Sequence, residues 1–420
     1  MRLRHAFSIS LFAQGIVLLV GFLNSIIITR NLDLSGRGQY ALAMSVLLMI
    51  NLIAGDILYR SGSYFVSKKS ENWPDLFGNG IIFAATLSAI LFILIQFAGN
   101  TITGHLLPGL NQSFLLLIIW GALPMIWVRF ISGLYLGKQK YFRFNLLGVA
   151  PLVVFCLLNI ILYLQKSFSA EKTMINYAVA MTIVGTGSII LLGVDRRLKL
   201  AASWELFKES FRTGLKFTLS TFFLFMLFRV DIFLINYLLG TEEAGLYSIA
   251  VILSEMLQKV ANTSGTVIFP KIAGMESRTK QRDLSNRTLL FILLAGILFS
   301  VLLYLFGESI IILIFKERYA GAAQPLYYLL PGTVIMALGK ILLFSLWGQG
   351  GPRITLVVPA AAFILNTCLN IILIPQLGII GAAISTSISY IVFGLSLIIY
   401  YSRNKPAVVA QSDEYTPISQ

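Results

Sequence analysis

The sequence predicts an all-α polytopic membrane protein of about twelve transmembrane helices in two six-helix repeats. Three observations predict it: an apolar composition, apolar runs of membrane-spanning length, and basic residues that alternate between loops. The chain is 57% hydrophobic and only 12% charged over 420 residues, with a mean hydropathy of +0.84. A soluble protein of this length carries about twice that charged fraction. Runs of about 20 apolar residues cross a hydrocarbon core of about 30 Å, and a helix satisfies its own backbone polar groups there. The short alternating segments of a membrane β-barrel are not seen.

The expected spans are 8–29, 39–59, 78–98, 113–136, 145–165, 173–194, 214–239, 245–269, 287–306, 326–347, 354–374 and 378–402. The first follows a basic start (Arg2, Arg4) but is full length and closes on no small-residue cleavage site, so it reads as a retained helix rather than a signal peptide. With twelve spans, the N-terminus, the even-numbered loops and the tail hold 22 basic residues, the odd-numbered loops hold six, and four lie within spans. That bias accounts for the net charge of +14 without nucleic acid, and it predicts cytoplasmic termini. In the long sixth loop, Trp204, Phe207, Phe211 and Leu215 recur at helical spacing with Lys208, Arg212 and Lys216 between them, the pattern of an interfacial helix. The polar segment 405–420 reads as a disordered cytoplasmic tail.

The halves resemble one another. Gly38-Gln39-Tyr40-Ala41 after the first span matches Gly245-Leu246-Tyr247-Ser248 after the seventh, an offset of 207, and Pro124 matches Pro331 at the same offset. Leu158-Asn159-Ile160-Ile161 is likewise similar to Leu369-Asn370-Ile371-Ile372. Six spans return the chain to its starting side, so the repeats share an orientation and enclose a path at their interface. The organisation is an N-lobe (1–198), an amphipathic linker (199–217) leading into the seventh span, and a C-lobe (214–404).

Ionisable groups inside spans cost about 2.5–3.5 kcal/mol when unpaired, so they face a cavity or a partner. Arg129, Arg229, Lys259 and Lys340 lie within spans, and Arg30 ends the first. These five read as a cationic cavity for an anionic head group, arginine offering a fork for phosphate and lysine a point charge. Asp56 and Glu255 are the charge partners, Glu255 standing at i,i+4 to Lys259. Asp231, Asn366, Asn370 and Thr386, with Ser385 and Ser389 nearby, offer only hard oxygen ligands, which suits a small cation or, at Asp231, a proton. No phosphate-binding Gly-rich loop is present, His5 and His105 are isolated, and Gly36-Arg37-Gly38 reads as a turn between spans. Cys156 and Cys368 both fall in apolar runs, so no disulfide framework is expected.

Arg30-Asn31-Leu32-Asp33-Leu34-Ser35-Gly36-Arg37-Gly38-Gln39-Tyr40 resembles the signature of polysaccharide-biosynthesis flippases in the multidrug/oligosaccharidyl-lipid/polysaccharide (MOP) exporter superfamily, the Wzx-type O-antigen flippases above all. Leu239-Gly240-Thr241-Glu242-Glu243-Ala244-Gly245-Leu246-Tyr247 is similar to its second copy, and Pro375-Gln376-Leu377-Gly378-Ile379-Ile380-Gly381-Ala382-Ala383 to the junction before the last span. The resemblance covers about residues 1–404. It implies a V-shaped two-lobe transporter that moves an undecaprenyl-diphosphate-linked oligosaccharide, such as an O-antigen or exopolysaccharide repeat unit, from the cytoplasmic to the periplasmic leaflet of a bacterial or archaeal cytoplasmic membrane. Polysaccharide polymerase and ligase machinery are candidate partners, and the lack of motifs for chemistry predicts a transporter rather than an enzyme. Related lipid II flippases hold sodium between the seventh, eleventh and twelfth spans, and Asp231, Asn366, Asn370 and Thr386 look like the matching positions; Asn370 stands where those proteins have a second carboxylate. Sodium or proton coupling is therefore expected, with no other cofactor. A cation antiporter of the same superfamily would call for acidic cavity groups. A glycan polymerase or glycosyltransferase would call for a large outer loop or a carboxylate pair at a membrane face.

Overall fold

A computed structural model describes residues 3–68, 73–194, 201–275 and 277–404. The N-lobe comprises α1 (Leu3–Asn31), α2 (Leu34–Ile50), α3 (Asp56–Lys68), α4 (Trp73–Thr101), α5 (Gln112–Gly137), α6 (Tyr141–Leu164) and α7 (Ala170–Val194). The rest comprises α8 (Trp204–Leu239), α9 (Thr241–Ala273), α10 (Arg278–Phe315), α11 (Ala323–Gly348) and α12 (Ile354–Arg403). The tail from Lys405 onward and Lys199 and Leu200 of the linker lie outside the described residues.

Among the described residues eleven helices are long and apolar enough to cross a membrane, with α2 and α3 joined by a π-helical turn at Asn51–Gly55 into one of them. The last, α12, has 50 residues, about 75 Å of helix, far more than one crossing needs. It folds back at Gly378, whose φ of 62° and ψ of −144° break the helix. Asn366 then donates to Thr386 at 3.2 Å, although a straight helix would hold them about 30 Å apart. With the two arms of α12 counted separately, the described residues hold the expected twelve helical segments of crossing length. The face carrying Leu3 and Asn404 is called the terminal face below, and the opposite one the distal face.

Burial is graded as in a protein dissolved in lipid. In α11 83% of the spanning window is buried, against 6% in α4 and 17% in α10, so α11 forms the centre of the C-lobe while α4 and α10 are peripheral. Leu290, Phe291, Leu294, Leu298 and Val301 of α10 point outward. Pro331 inside α11 interrupts its hydrogen-bond ladder, and the adjacent Gly332 amide is satisfied by the Ser387 hydroxyl of α12 at 2.9 Å.

One sequence expectation is revised. Gly36-Arg37-Gly38 is the first part of α2, not a turn, because the Asp33 side chain caps the helix by accepting from the Gly36 amide at 2.9 Å. From Trp204 the linker is helical. It runs unbroken into the seventh span as the 36-residue α8, and its aromatic side chains Phe207 and Phe211 pack on Phe83 of α4. Gly214 rests on the Ile57 carbonyl of α3, and Ser203 at the helix start bonds Asn79, while Trp204 and Leu215 of the same stripe stay exposed.

The lobes meet at the distal face. Ser35 bonds Thr241 at 3.0 Å, Asn236 donates to the Pro108 carbonyl at 2.7 Å, Tyr319 to the Leu32 carbonyl at 2.9 Å, and Arg318 to the Arg30 carbonyl at 2.8 Å. At the centre, α2 crosses α9 through the repeat-related pair Gly38 and Gly245. A Cβ on Gly38 would come within 1.7 Å of the Thr241 carbonyl oxygen, and one on Gly245 within 2.2 Å of that of Leu34. Gly38→Val should therefore destabilise this seal by about 1–3 kcal/mol, the usual cost of overpacking. With both native cysteines replaced by serine, a cysteine introduced by Ser248→Cys should then react faster with an impermeant thiol reagent added on the distal side; unchanged labelling would show that the glycine crossing does not hold the seal.

Candidate functional site

Beneath the seal two half-open clefts, called chambers below, lie between the lobes, both lined by α9. The one nearer the terminal face, about 320 Å³, is bounded by Gln14 of α1, Arg129 and Ser132 of α5, Asn145 of α6, and Lys259 and Thr263 of α9. The one beneath the seal, about 130 Å³, is bounded by Arg37, Tyr40 and Ser45 of α2, Arg229 of α8, and Ser248 and Glu255 of α9. Glu255 and Lys259 lie one helical turn apart, so the chambers are neighbours along the pathway.

The cations are held in different ways. Arg129 donates through Nε to Asp56 Oδ1 at 2.7 Å and stacks over Tyr59, its guanidinium 3.9 Å from the ring centre, while Arg60 reaches the other Asp56 oxygen at 3.5 Å. Asp56 follows the π-helical turn directly, and such turns re-aim the residues after them. Arg229 forms a two-pronged pair with Glu255 at 2.6 and 3.2 Å. This corrects the expectation that Glu255 neutralises Lys259. A lysine one turn away competes poorly with a guanidinium fork presented by the facing helix. Lys259 forms none of the ion pairs found among the described residues and faces the larger chamber. Lys340, 4% exposed, lies inside the C-lobe with Nζ 4.3 Å from the Phe228 ring centre, and it lines neither chamber. Arg30 is exposed at the distal mouth and also lines neither.

Sequence reasoning missed Arg37, because hydropathy placed it in a loop. It is 4% exposed, and its Nε and Nη1 are buried without a hydrogen-bond partner. The signal that could have found it is Asp33, an N-cap three residues ahead of Gly36, which starts the helix early enough to bring Arg37 inside.

The predicted oxygen cluster does assemble. Asp231 Oδ2 accepts from Tyr247 at 2.6 Å and from Thr386 at 3.3 Å, and Oδ1 accepts from the Ile232 amide at 2.8 Å. Asn366 donates to Thr386, and Asn370 donates to the Asn366 oxygen at 2.9 Å, which leaves Asn370 Oδ1 buried without a partner. Ser385 and Ser389 instead turn their hydroxyls back to carbonyls of their own helix. A buried carboxylate and an orphan amide oxygen thus stand at the two ends of one hydrogen-bonded chain, Asp231–Thr386–Asn366–Asn370, and both are hard oxygen donors. Tyr247, repeat-related to Tyr40, is the member that the sequence reading did not place in the cluster. At the matching place in the N-lobe, Asn159 donates to Asn24 at 2.9 Å and Asn176 donates to Asn159 at 3.1 Å, an all-amide chain with Asn24 where the C-lobe has Asp231.

The Arg229–Glu255 pair makes a stability prediction. Its side chains are each 19% exposed, so Glu255→Ala leaves a largely buried cation alone and should cost about 3 kcal/mol. The double variant Arg229→Met/Glu255→Leu should recover most of that loss. Thermal unfolding midpoints of the three proteins in detergent check this, and independent, additive effects of the two substitutions would refute the coupling.

Comparison with known proteins places this arrangement. The family model described as polysaccharide biosynthesis protein matches residues 3–276. An uncharacterised membrane protein of Methanocaldococcus jannaschii is 25% identical over 78% of this chain and 70% of its own. A Haloferax volcanii protein assigned as a low-salt glycan biosynthesis flippase is 24% identical over 39% of this chain and 35% of its own. A Shigella flexneri protein assigned as an O-antigen transporter is 24% identical over 48% of each. The chain thus spans about half or less of the length of the latter two in those matches. The fold resembles an inward-facing multidrug transporter of the MATE family (TM-score 0.74, 15% identity, 94% of this chain and 97% of that one). It resembles the lipid II flippase MurJ in an inward closed conformation equally well (TM-score 0.74, 15% identity, 94% and 87%). With the family model covering well over half of its length, this chain is a membrane transporter-fold member of the polysaccharide biosynthesis protein family.

Proposed function

We propose that the protein flips a polyprenyl-diphosphate-linked oligosaccharide across the cytoplasmic membrane by alternating access, with its terminal face cytoplasmic. The observation that carries this reading is the larger chamber, where Arg129 of one lobe and Lys259 of the other face a common space beneath a closed distal face. A diphosphate drawn there from the cytoplasmic leaflet exchanges its hydration for two cations, one on each lobe. The lobes then rock apart at the distal face while the polyprenyl chain stays in lipid. The family membership and the basic character of the chamber both favour an anionic lipid-linked glycan over a cationic drug.

Coupling belongs to the C-lobe cluster. Asp231, Thr386 and the free oxygen of Asn370 would hold a sodium ion, or Asp231 a proton, and would supply the driving force for the return of the empty carrier. The neutral N-lobe chain of Asn24, Asn159 and Asn176 carries no titratable group and plays no such part.

Leaflet accessibility of a fluorescent polyprenyl-diphosphate oligosaccharide in proteoliposomes tests the reading. Wild type should move it, and Lys259→Ala should slow movement about ten- to a hundredfold, the worth of one charge-assisted hydrogen bond. Lys340→Met, which alters no chamber wall, should move it at the wild-type rate once folded. No movement of any polyprenyl glycan, together with uptake of organic cations, would transfer the chain to the antiporter reading. Replacing external sodium by potassium at fixed pH should abolish uphill movement if sodium is the coupling ion, and Asp231→Asn should remove dependence on either cation gradient.

A further inference from the structure

We propose that Arg37 is a substrate ligand, and that the small chamber it lines beneath the distal seal is a second phosphoryl site, occupied after the Arg129–Lys259 chamber. Arg37 sits in the first turns of α2, 4% exposed, with two guanidinium nitrogens buried and unpartnered. A charge in such a place is expensive unless something satisfies it. None of the ion pairs among the described residues includes Arg37, and its aromatic neighbour Tyr40, 5.3 Å from Cζ to ring centre, accepts no hydrogen bond from it. The other lining groups are Ser45, whose hydroxyl donates to the Ala41 carbonyl, Ser248, the paired Arg229 and Glu255, and apolar side chains. Glu255 has both oxygens committed to Arg229, so the one acidic group in the chamber leaves the Arg37 donors free.

The occupant that this chemistry recognises is a compact anion with several acceptor oxygens. A volume of about 130 Å³ is below the roughly 300–1,000 Å³ of pockets that take drug-sized molecules, and it suits a phosphoryl group without its sugars. Arg37 belongs to the N-lobe and Ser248 to the C-lobe, so an anion held by Arg37 sits between the lobes as one between Arg129 and Lys259 does in the chamber below. Arg37 is also the neighbour of Gly38, whose backbone closes the distal seal. The path is therefore a pair of cationic stations, the second placed directly under the seal. The identity of the anion as the diphosphate of a lipid-linked glycan rests on the function proposed above; the existence of the anion site does not.

The test is binding of inorganic pyrophosphate, and separately of a sugar-free polyprenyl diphosphate, to the purified full-length protein in nanodiscs by titration calorimetry. Arg37→Gln should weaken binding about ten- to a hundredfold, the usual loss for a charged hydrogen-bond donor. Arg37→Lys, which keeps the charge but not the fork, should fall between the two, and serves if the glutamine variant does not fold. Glu255→Gln, which releases the Arg229 fork, should tighten binding. Tight pyrophosphate binding marks a site for phosphoryl groups in general, and binding confined to the polyprenyl anion marks one that needs the lipid; both support the assignment if they depend on Arg37. Equal binding by wild type and a folded Arg37 variant, or no binding of either anion by wild type, overturns it. The flippase reading fails on a different result, the absence of glycan movement in wild-type vesicles, so the two are separable.

Discussion

A charge surrounded by helices and lipid must either be paired or look into a wet space, and the interior of this protein is organised by that constraint. Asp56 meets Arg129, and Glu255 meets Arg229. Lys340 settles over the face of Phe228, where the ring quadrupole attracts a cation. Arg37 and Lys259 are left facing the chambers between the lobes. The two short pairs within the spans are also internal to a lobe, Asp56–Arg129 joining α3 to α5 and Arg229–Glu255 joining α8 to α9. Across the distal seal the hydrogen bonds use hydroxyls, an amide and backbone carbonyls, with a single exposed guanidinium. Such bonds contribute about 0.5–1.5 kcal/mol each, more where a charge takes part. A seal of this kind can part while the ion pairs that keep each lobe rigid stay intact.

The two repeats keep a common frame and differ in charge. Gly38 and Gly245 form a crossing related by the internal twofold, and the polar chain at Asn24, Asn159 and Asn176 sits where the other half has Asp231, Asn366, Asn370 and Thr386. One copy is closed on itself with amides alone; the other holds a buried carboxylate, a tyrosine hydroxyl and an amide oxygen with no donor. Symmetric rocking needs only the shared frame. An ion-linked step needs the difference.

Most of the frame was legible in the sequence because spans are set by the thickness of the bilayer and repeats survive as spaced Gly, Pro and Asn. The charge partners were less legible. Pairing Glu255 with Lys259 relied on a local i,i+4 rule, whereas the actual partner, Arg229, comes from the neighbouring helix, and no periodicity within one span encodes which face another span presents. Asp56 was recognised as a counter-charge without its partner, since the π-helical turn that aims it at Arg129 leaves no mark in a hydropathy profile. Lys340 was read into the cavity from its repeat position, yet α11 is the buried centre of its lobe and turns that side chain inward. Arg37 was passed over because an apolar window begins only after it, while the Asp33 cap begins the helix before it.

These placements give α9 a particular part in the proposed path. Thr263, Lys259, Glu255 and Ser248 lie along one stripe of that helix, from the larger chamber to the space under the seal, about 22 Å of rise. The facing walls change along it, from α1, α5 and α6 to α2 and α8. An anion moving along this stripe keeps one C-lobe helix as a rail and passes from Arg129 to Arg37 on the N-lobe side. Glu255 stands between the two stations. Held by Arg229 it is a neutralised carboxylate, and released it would repel a phosphate ascending from Lys259. A path of this design therefore depends on the Arg229–Glu255 pair staying closed while the anion passes, which is the condition met when ion pairs are confined within lobes and the hydrogen bonds between lobes give way.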